Sequence, residues 1–218
     1  MIQDKYWLQL ESKLKALAGV RLGRVEWSVI SRNVDNGACS IALVNPIHFR
    51  QVRYRTSGTK DRFLDIRLSG TLDIVKDPDV KIKHYITQVA YYDRKQDLIS
   101  PVLEQIDGFH FDYDSPPEVA HPVFHAQHKP TVLKDYPISG IETLSETTTR
   151  AIRSARIPSA QLDFVSSIMM VAADYFVSAD NHDKFISLLN WVDSNLVPNI
   201  IKSENKNWAR LKNWYFCE

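Results

Sequence analysis

Apolar side chains return every three or four residues at Trp7, Leu10, Leu14 and Leu17, and Gly19 follows. That spacing lays one apolar stripe along a helix, and a glycine just past the stripe supplies the stop. The chain therefore opens with an amphipathic helix ending near Ala18. The period then shortens to two. VEWSVIS and ACSIALV, between Val25 and Val44, flank NVDNG, whose Asn36-Gly37 pair suits a tight hairpin turn. In FLDIRLSGTLDIV, Leu64, Ile66, Leu68, Leu72 and Ile74 alternate with Asp65, Arg67, Ser69 and Asp73. Such alternation puts one face of a strand in the core and the other toward water or a ligand. KDPD breaks the run, and KIKHYITQVAYYD resumes as the next strand. GFHFDYD sets Phe109, Phe111 and Tyr113 on one side and His110, Asp112 and Asp114 on the other. After the SPPEV turn, HPVFHAQ returns as a further extended segment.

From residue 142 onward the period reads as helical. ETTTRAIRSAR comes first, then SAQLDFVSSIMMVAADYF with Leu162, Val165, Met169, Ala172 and Phe176 on one stripe. Phe185, Leu188, Leu189, Val192 and Leu196 define another helix, and WARLKNWYF a last one. Strands precede helices, so the expected class is α+β: an N-terminal helix, an antiparallel sheet, and a C-terminal helical bundle packed on it. The expected organisation is a single domain, with 1–140 mainly strands and 141–218 mainly helices.

Composition narrows the function classes. With 218 residues, 44% hydrophobic and 24% charged, the chain can bury a sizeable core. Lys and Arg total 27 against 26 Asp and Glu, a formal charge of +1. That balance excludes a globally basic nucleic-acid binder, so any basic patch must be local. Cys39 and Cys217 lie far apart with no metal-ligand spacing, as expected of a reduced intracellular protein. The N-terminus lacks the apolar run of a signal peptide, and no segment reaches the ~18 apolar residues of a membrane span. A soluble cytoplasmic protein without membrane contact is the expectation.

Three segments carry candidate chemistry. In DYDSPPEVAHPVFHAQHK, a hairpin through SPPEV brings His121, Val123, His125 and Gln127 beside His110, Asp112 and Asp114. Two histidines and a carboxylate can hold a divalent metal, or serve as general acid and base near neutral pH. Were the segment helical, His121, His125 and His128 would share one side. The HxxxH spacing lacks the glutamate of a zinc-protease HExxH, so the metal question stays open and no cofactor is named. The opposing reading is a proline turn with partly exposed imidazoles. In TRAIRSARIPS, Arg150, Arg153 and Arg156 sit three apart, and on a helix they would form a row suited to phosphate. The opposing reading is a solvated, salt-bridged face. In HFRQVRYRTSGTKDR, Arg50, Arg53, Arg55, Lys60 and Arg62 surround Tyr54, which fits either a nucleic-acid contact or a soluble loop.

HPVFHAQH, followed about thirty residues later by RIP and an apolar helix, resembles an uncharacterised bacterial family whose members carry an HPxxHxH-like segment and then an RIP segment. The likeness spans residues 109–176. His121, Pro122, His125 and Arg156-Ile157-Pro158 match, while Gln127 stands where the family pattern has another histidine. The resemblance implies no established activity.

Two functions are thus in play. One is an intracellular hydrolase or nuclease acting on a phosphodiester or nucleotide, of toxin or phage-defence type. In it His121 and His125 do acid–base work, Asp112 or Asp114 orients an imidazole, and Arg150, Arg153, Arg156 and Gln127 bind. The other is a non-catalytic module that docks a protein partner or a second copy through Trp208, Trp214 and Tyr215.

Overall fold

The opening stripe forms helix α1, Asp4–Ala18, which buries Trp7, Leu10, Leu14, Leu17 and Ala18. A 3-10 turn at Gly19–Arg21 releases the chain into strand β1, Leu22–Glu26. The computed structural model describes residues 4–55, 61–76, 80–95, 102–114, 125–128, 132–133, 136, 142–145, 156–158 and 163–196. Among them the strands continue as β2 (Ile30–Asp35), β3 (Ala38–Leu43), β4 (Ile47–Arg55), β5 (Asp61–Lys76), β6 (Val80–Lys95) and β7 (Val102–Asp114). Three short strands follow: β8 (His125–His128), β9 (Glu142–Ser145) and β10 (Arg156–Pro158). Helices α2 (Phe164–Tyr175) and α3 (His182–Asn195) close the described chain.

All ten strands belong to one sheet, ordered β1-β4-β5-β6-β7-β8-β10, with β3 beside the far half of β5, β2 beyond β3, and β9 beside β7. Every pairing is antiparallel except β7 with β9. The Asn36-Gly37 turn joins β2 to β3 with φ of 42° and 84°, the left-handed pair that such hairpins require. VEWSVIS is not one strand, because the chain breaks between Glu26 and Ile30. There Trp7 Nε1 donates to the Ser28 carbonyl at 2.8 Å, which ties α1 to the break.

One face of the sheet carries the main core. Leu64, Ile66, Leu68, Leu72 and Ile74 of β5 are buried on it with Ile47, Phe49 and Val52 of β4 and Tyr85, Val89 and Tyr91 of β6. Each fully buried aliphatic contributes about 1.5–3 kcal/mol. Helix α2 lies on β4, β5 and β6, and α1 contacts α2 and α3. Asp163 caps α2, accepting from the backbone N–H groups of Val165 and Ser166. The α2 stripe of Val165, Met169, Ala172 and Phe176 is buried, as are Phe185, Leu188, Leu189, Val192 and Leu196 in and after α3. The α+β class, with an N-terminal helix followed by strands, is therefore present, and WARLKNWYF lies outside the described residues.

Two expectations are corrected. Glu142–Ser145 and Arg156–Pro158 are strands, although the period from residue 142 reads as helical. β-Branched Thr143 and Ile157 favour the extended state, and Pro158 is tolerated because β10 ends the strand order. The helical row of Arg150, Arg153 and Arg156 therefore cannot extend to Arg156, which lies in β10; Arg150 and Arg153 lie outside the described residues. Arg50 and Arg53 belong to β4 and Arg62 to β5, so these arginines of the basic segment are strand residues and not a loop.

Candidate functional site

The second face of the sheet, away from the helices, collects the polar positions. On β7 the alternation of Phe109, Phe111 and Tyr113 with His110 and Asp112 sorts them as expected, with the aromatics packed against the main core. A bulge makes this possible: Tyr91 faces Asp107 and Tyr92 faces Gln105, leaving Ile106 as the extra residue. The bulge switches the parity of β7, so that Gln105 before it and His110 and Asp112 after it share the second face.

β8 pairs antiparallel with β7, setting Asp112 opposite His125 and His110 opposite Gln127. β10 pairs with β8, setting Arg156 opposite Gln127 and Pro158 opposite His125. Gln88 of β6 stands opposite His110. Directly opposed positions of paired strands belong to one face of the sheet. Two rows therefore cross the strands: Gln88–His110–Gln127–Arg156, and Asp112–His125–Pro158. His110 Nε2 lies 3.5 Å from Asp112 Oδ2, both half-buried. Asp114 is the register partner of His84 at the end of β7. His121 lies outside the described residues.

The helical alternative for the histidines is overturned, since His125 and His128 belong to a strand whose parity separates them. His128 stands opposite Phe109 on the helix-bearing face. There its Nε2 meets Asp107 Oδ1 at 2.6 Å, and its ring sits edge-on to Phe109 at 5.8 Å. Tyr91 and Tyr175 pack nearby with ring centroids 6.1 Å apart. Burial, reinforced by Asp174, pushes the Tyr175 hydroxyl up to about 12 and drives Tyr91 upward as well.

A polar network that the sequence reading missed lies on the second face over β1, β4, β5 and β6. Asp65 is wholly buried. Its carboxylate takes hydrogen bonds from His48 Nε2 at 2.9 Å, Arg94 Nε at 3.1 Å and Nη2 at 2.7 Å, and the Gln51 backbone N–H at 3.1 Å. The last of these exists because β4 bulges between Phe49 and Val52, with Gln51 at φ 55°. Burial alone pushes the Asp65 carboxyl up; the hydrogen bonds from His48, Arg94 and Gln51, with the Arg94 charge, outweigh it and hold the carboxyl at about 2. His48 Nδ1 stands 3.4 Å from Glu26 Oε2, and Glu26 Oε1 accepts from Arg50 Nη1 at 2.7 Å. The sequence signal was present: Asp65 and Arg67 are charges in mid-strand of the most regular strand.

Between the two polar groups lies a small apolar cluster of Ala90, Tyr92, Leu103, Val132 and Leu133. Residues 132, 133 and 136 are held over the sheet. The Leu133 N–H donates to Gln88 Oε1 at 3.4 Å, and Arg67 Nη1 donates to the Tyr136 carbonyl. The face that alternation assigned to water or a ligand is thus partly covered, which is why Arg67 is buried.

An open cleft of about 400 Å³ between α1 and α3, lined by Lys13, Leu17, Asp183 and Lys184 among others, holds none of the predicted site residues. Among the described residues no three His, Cys, Asp or Glu side chains stand together as a metal site, and no helix is long and apolar enough to cross a membrane. No protein-family model, curated protein or solved structure matches the chain.

Proposed function

We propose that the chain is a hydrolase of phosphodiester bonds, with its site at the β7–β8–β10 end of the second face. The observation that supports this reading is the register that sets Asp112 opposite His125 and aligns His110, Gln127 and Arg156 in a neighbouring row. One imidazole of His110 and His125 takes a proton from the attacking water as the P–O bond forms. The other delivers a proton to the departing oxygen as the second P–O bond breaks. Asp112 orients an imidazole, and Gln127 and Arg156 hold the non-bridging oxygens. His121, four residues before His125 in sequence and outside the described residues, is the further candidate for the second imidazole. In the same reading the protein is cytoplasmic, with Cys39 a free thiol, and the residues after Leu196 complete a C-terminal helical bundle with α2 and α3.

The test uses the full chain on RNA, DNA and nucleotide panels, with Asp112→Asn, His110→Ala, His121→Ala and His125→Ala beside the wild type. The expected result is turnover that falls about 10²–10⁴-fold in His125→Ala with an unchanged melting temperature. A wild type with no turnover on any member, or variants that match it, overturns the reading.

A second reading, a protein-docking module, is favoured by one observation at the opposite margin. Val29 and Val44, joined by a backbone hydrogen bond of 3.0 Å, are 71% and 49% exposed. Sedimentation of the wild type and Val29→Asp at high concentration tests it: self-association that the variant abolishes supports docking of a second copy, and a monomer in both counts against it.

A further inference from the structure

The proposed site depends on which positions of β7 and β8 stand opposite one another, and alternation alone does not decide that. In β8, His125 and Gln127 belong to the second face, and Ala126 and His128 to the helix-bearing face. Sliding β8 by two residues toward Asp114 preserves this sorting. It would set His125 opposite Asp114, Ala126 opposite Tyr113 and Gln127 opposite Asp112, so the observed Asp112–His125 and His110–Gln127 pairings would both be lost. β10 pairs with β8 over three residues and can slide with it. Something on the helix-bearing face must therefore choose the register.

We infer that Asp107 and His128 form a clamp that selects the register of β8, which makes them positioning residues for the site: they act through the strand and touch no substrate. The inference rests on the phosphodiester reading above and names what holds its site together. The β7 bulge at Ile106 turns Asp107 onto the helix-bearing face with Phe109. Asp107 Oδ1 accepts from the Gly108 backbone N–H at 2.8 Å, which fixes the carboxylate against its own strand. The same oxygen lies 2.6 Å from His128 Nε2. The imidazole is held from its other side by Phe109, with ring centroids 5.8 Å apart and planes inclined at 77°. The two side chains are 19% and 41% exposed, a setting in which an ion pair contributes little when forming it must also order both partners. Here each partner is already fixed, the acid by Gly108 and the ring by Phe109.

A slip toward Asp114 moves His128 from Phe109 to Phe111, about 6.8 Å at ~3.4 Å per residue, and breaks the contact. A slip the other way is opposed by β9. Because β6 fills one edge of β7, β8 and β9 share the other, with β9 taking Val102–Gln105. That slip would leave only Ile106 between the two strand ends, where each chain needs room to leave the sheet. The clamp and β9 thus bound the register from both directions.

Nuclear Overhauser contacts across the β7–β8 ladder read the register, and steady-state turnover of a dinucleotide reads its consequence. Wild type, Asp107→Ala, His128→Ala and His128→Gln are compared as full chains, with melting curves to verify folding. The expected result is contact of Ala126 with Phe111 in the wild type and in His128→Gln, whose amide N–H can still donate to Asp107. In both alanine variants these contacts are lost or move to Tyr113. The kcat of the alanine variants falls about 10²-fold with KM unchanged, as small misplacements of reacting groups do, and His128→Gln restores it. A pair that merely stabilised the fold would not produce that split. Asp107→Asn, which keeps the side-chain volume and the Gly108 acceptor but not the charge, replaces an alanine variant that does not fold, and the same shift is expected of it. Retention of the Ala126–Phe111 contacts in the variants overturns the clamp, and shifted contacts with an unchanged kcat overturn its positioning role. If the wild type cleaves nothing, the phosphodiester reading falls, and the contacts alone uphold or overturn the clamp.

Discussion

Replacing Asp65 by asparagine removes the one charge that the His48–Arg94 arrangement is built around. The wild-type carboxyl falls from its ordinary 3.8 to about 2, which corresponds to about 2–3 kcal/mol of native-state stability. Because the native value is the lower one, this contribution is fully present above about pH 5. It is eroded as the pH drops through 3.8 and gone below about 2. At neutral pH Asp65→Asn loses that amount and leaves the Arg94 and His48 side chains, 11% and 4% exposed, without their anion. Breaking a buried pair from one side costs about 3–5 kcal/mol, so the expected loss lies between the two figures. Urea unfolding followed by tryptophan fluorescence measures it, with wild type and variant compared at steps from pH 7 to pH 2.5. The gap should be widest at neutral pH and close steadily as the medium is acidified. A gap below about 0.5 kcal/mol at pH 7, or one that does not change with pH, refutes the reasoning. In the double variant with Arg94→Met, part of the loss should return, since the orphaned guanidinium is gone.

Gly70→Ala should destabilise the protein by about 1–3 kcal/mol in the same assay, because an added Cβ would meet Phe164 Cβ at 2.8 Å and the Ile86 carbonyl at 3.0 Å where α2 sits on β5. Asp163→Ala should cost about 1–2 kcal/mol by removing the α2 cap and the acceptor of the Ser166 hydroxyl, while Asp163→Asn recovers most of it. Ultraviolet titration, with Tyr175→Phe as the subtraction, should find Tyr175 ionising near 12; Asp174→Asn should move that midpoint down, and no movement would remove Asp174 as a cause.

The parts of the fold that could be read from the chain are those whose partners are near in sequence or imposed by period. The β2–β3 hairpin follows from Asn36-Gly37, and the buried face of β5 from strict alternation. The antiparallel pairing of β7 with β8 agrees with reading the runs on either side of SPPEV as extended. That is why Asp112 and His125 could be placed together. The Asp65 network was beyond such reading, because its hydrogen-bonding side chains come from His48, 17 residues before, and Arg94, 29 residues after. The cover over its face comes from Val132 and Leu133, later still. Period alone also misassigned β9 and β10, since polar segments with β-branched residues at irregular intervals satisfy a helical count as readily as an extended one, and pairing with β7 and β8 decides between them. One rule would have found more. A charge in the middle of a strand that has neighbours on both sides cannot be left to solvent by default, because the sheet shields it from both flanks and any covering segment must bring it a partner. Asp65 and Arg67 occupy such positions on β5, with β4 on one side and β6 on the other. Applied to this chain, that rule directs the search to the central strand as well as to the histidine-rich edge, and the second face then reads as one surface running between them.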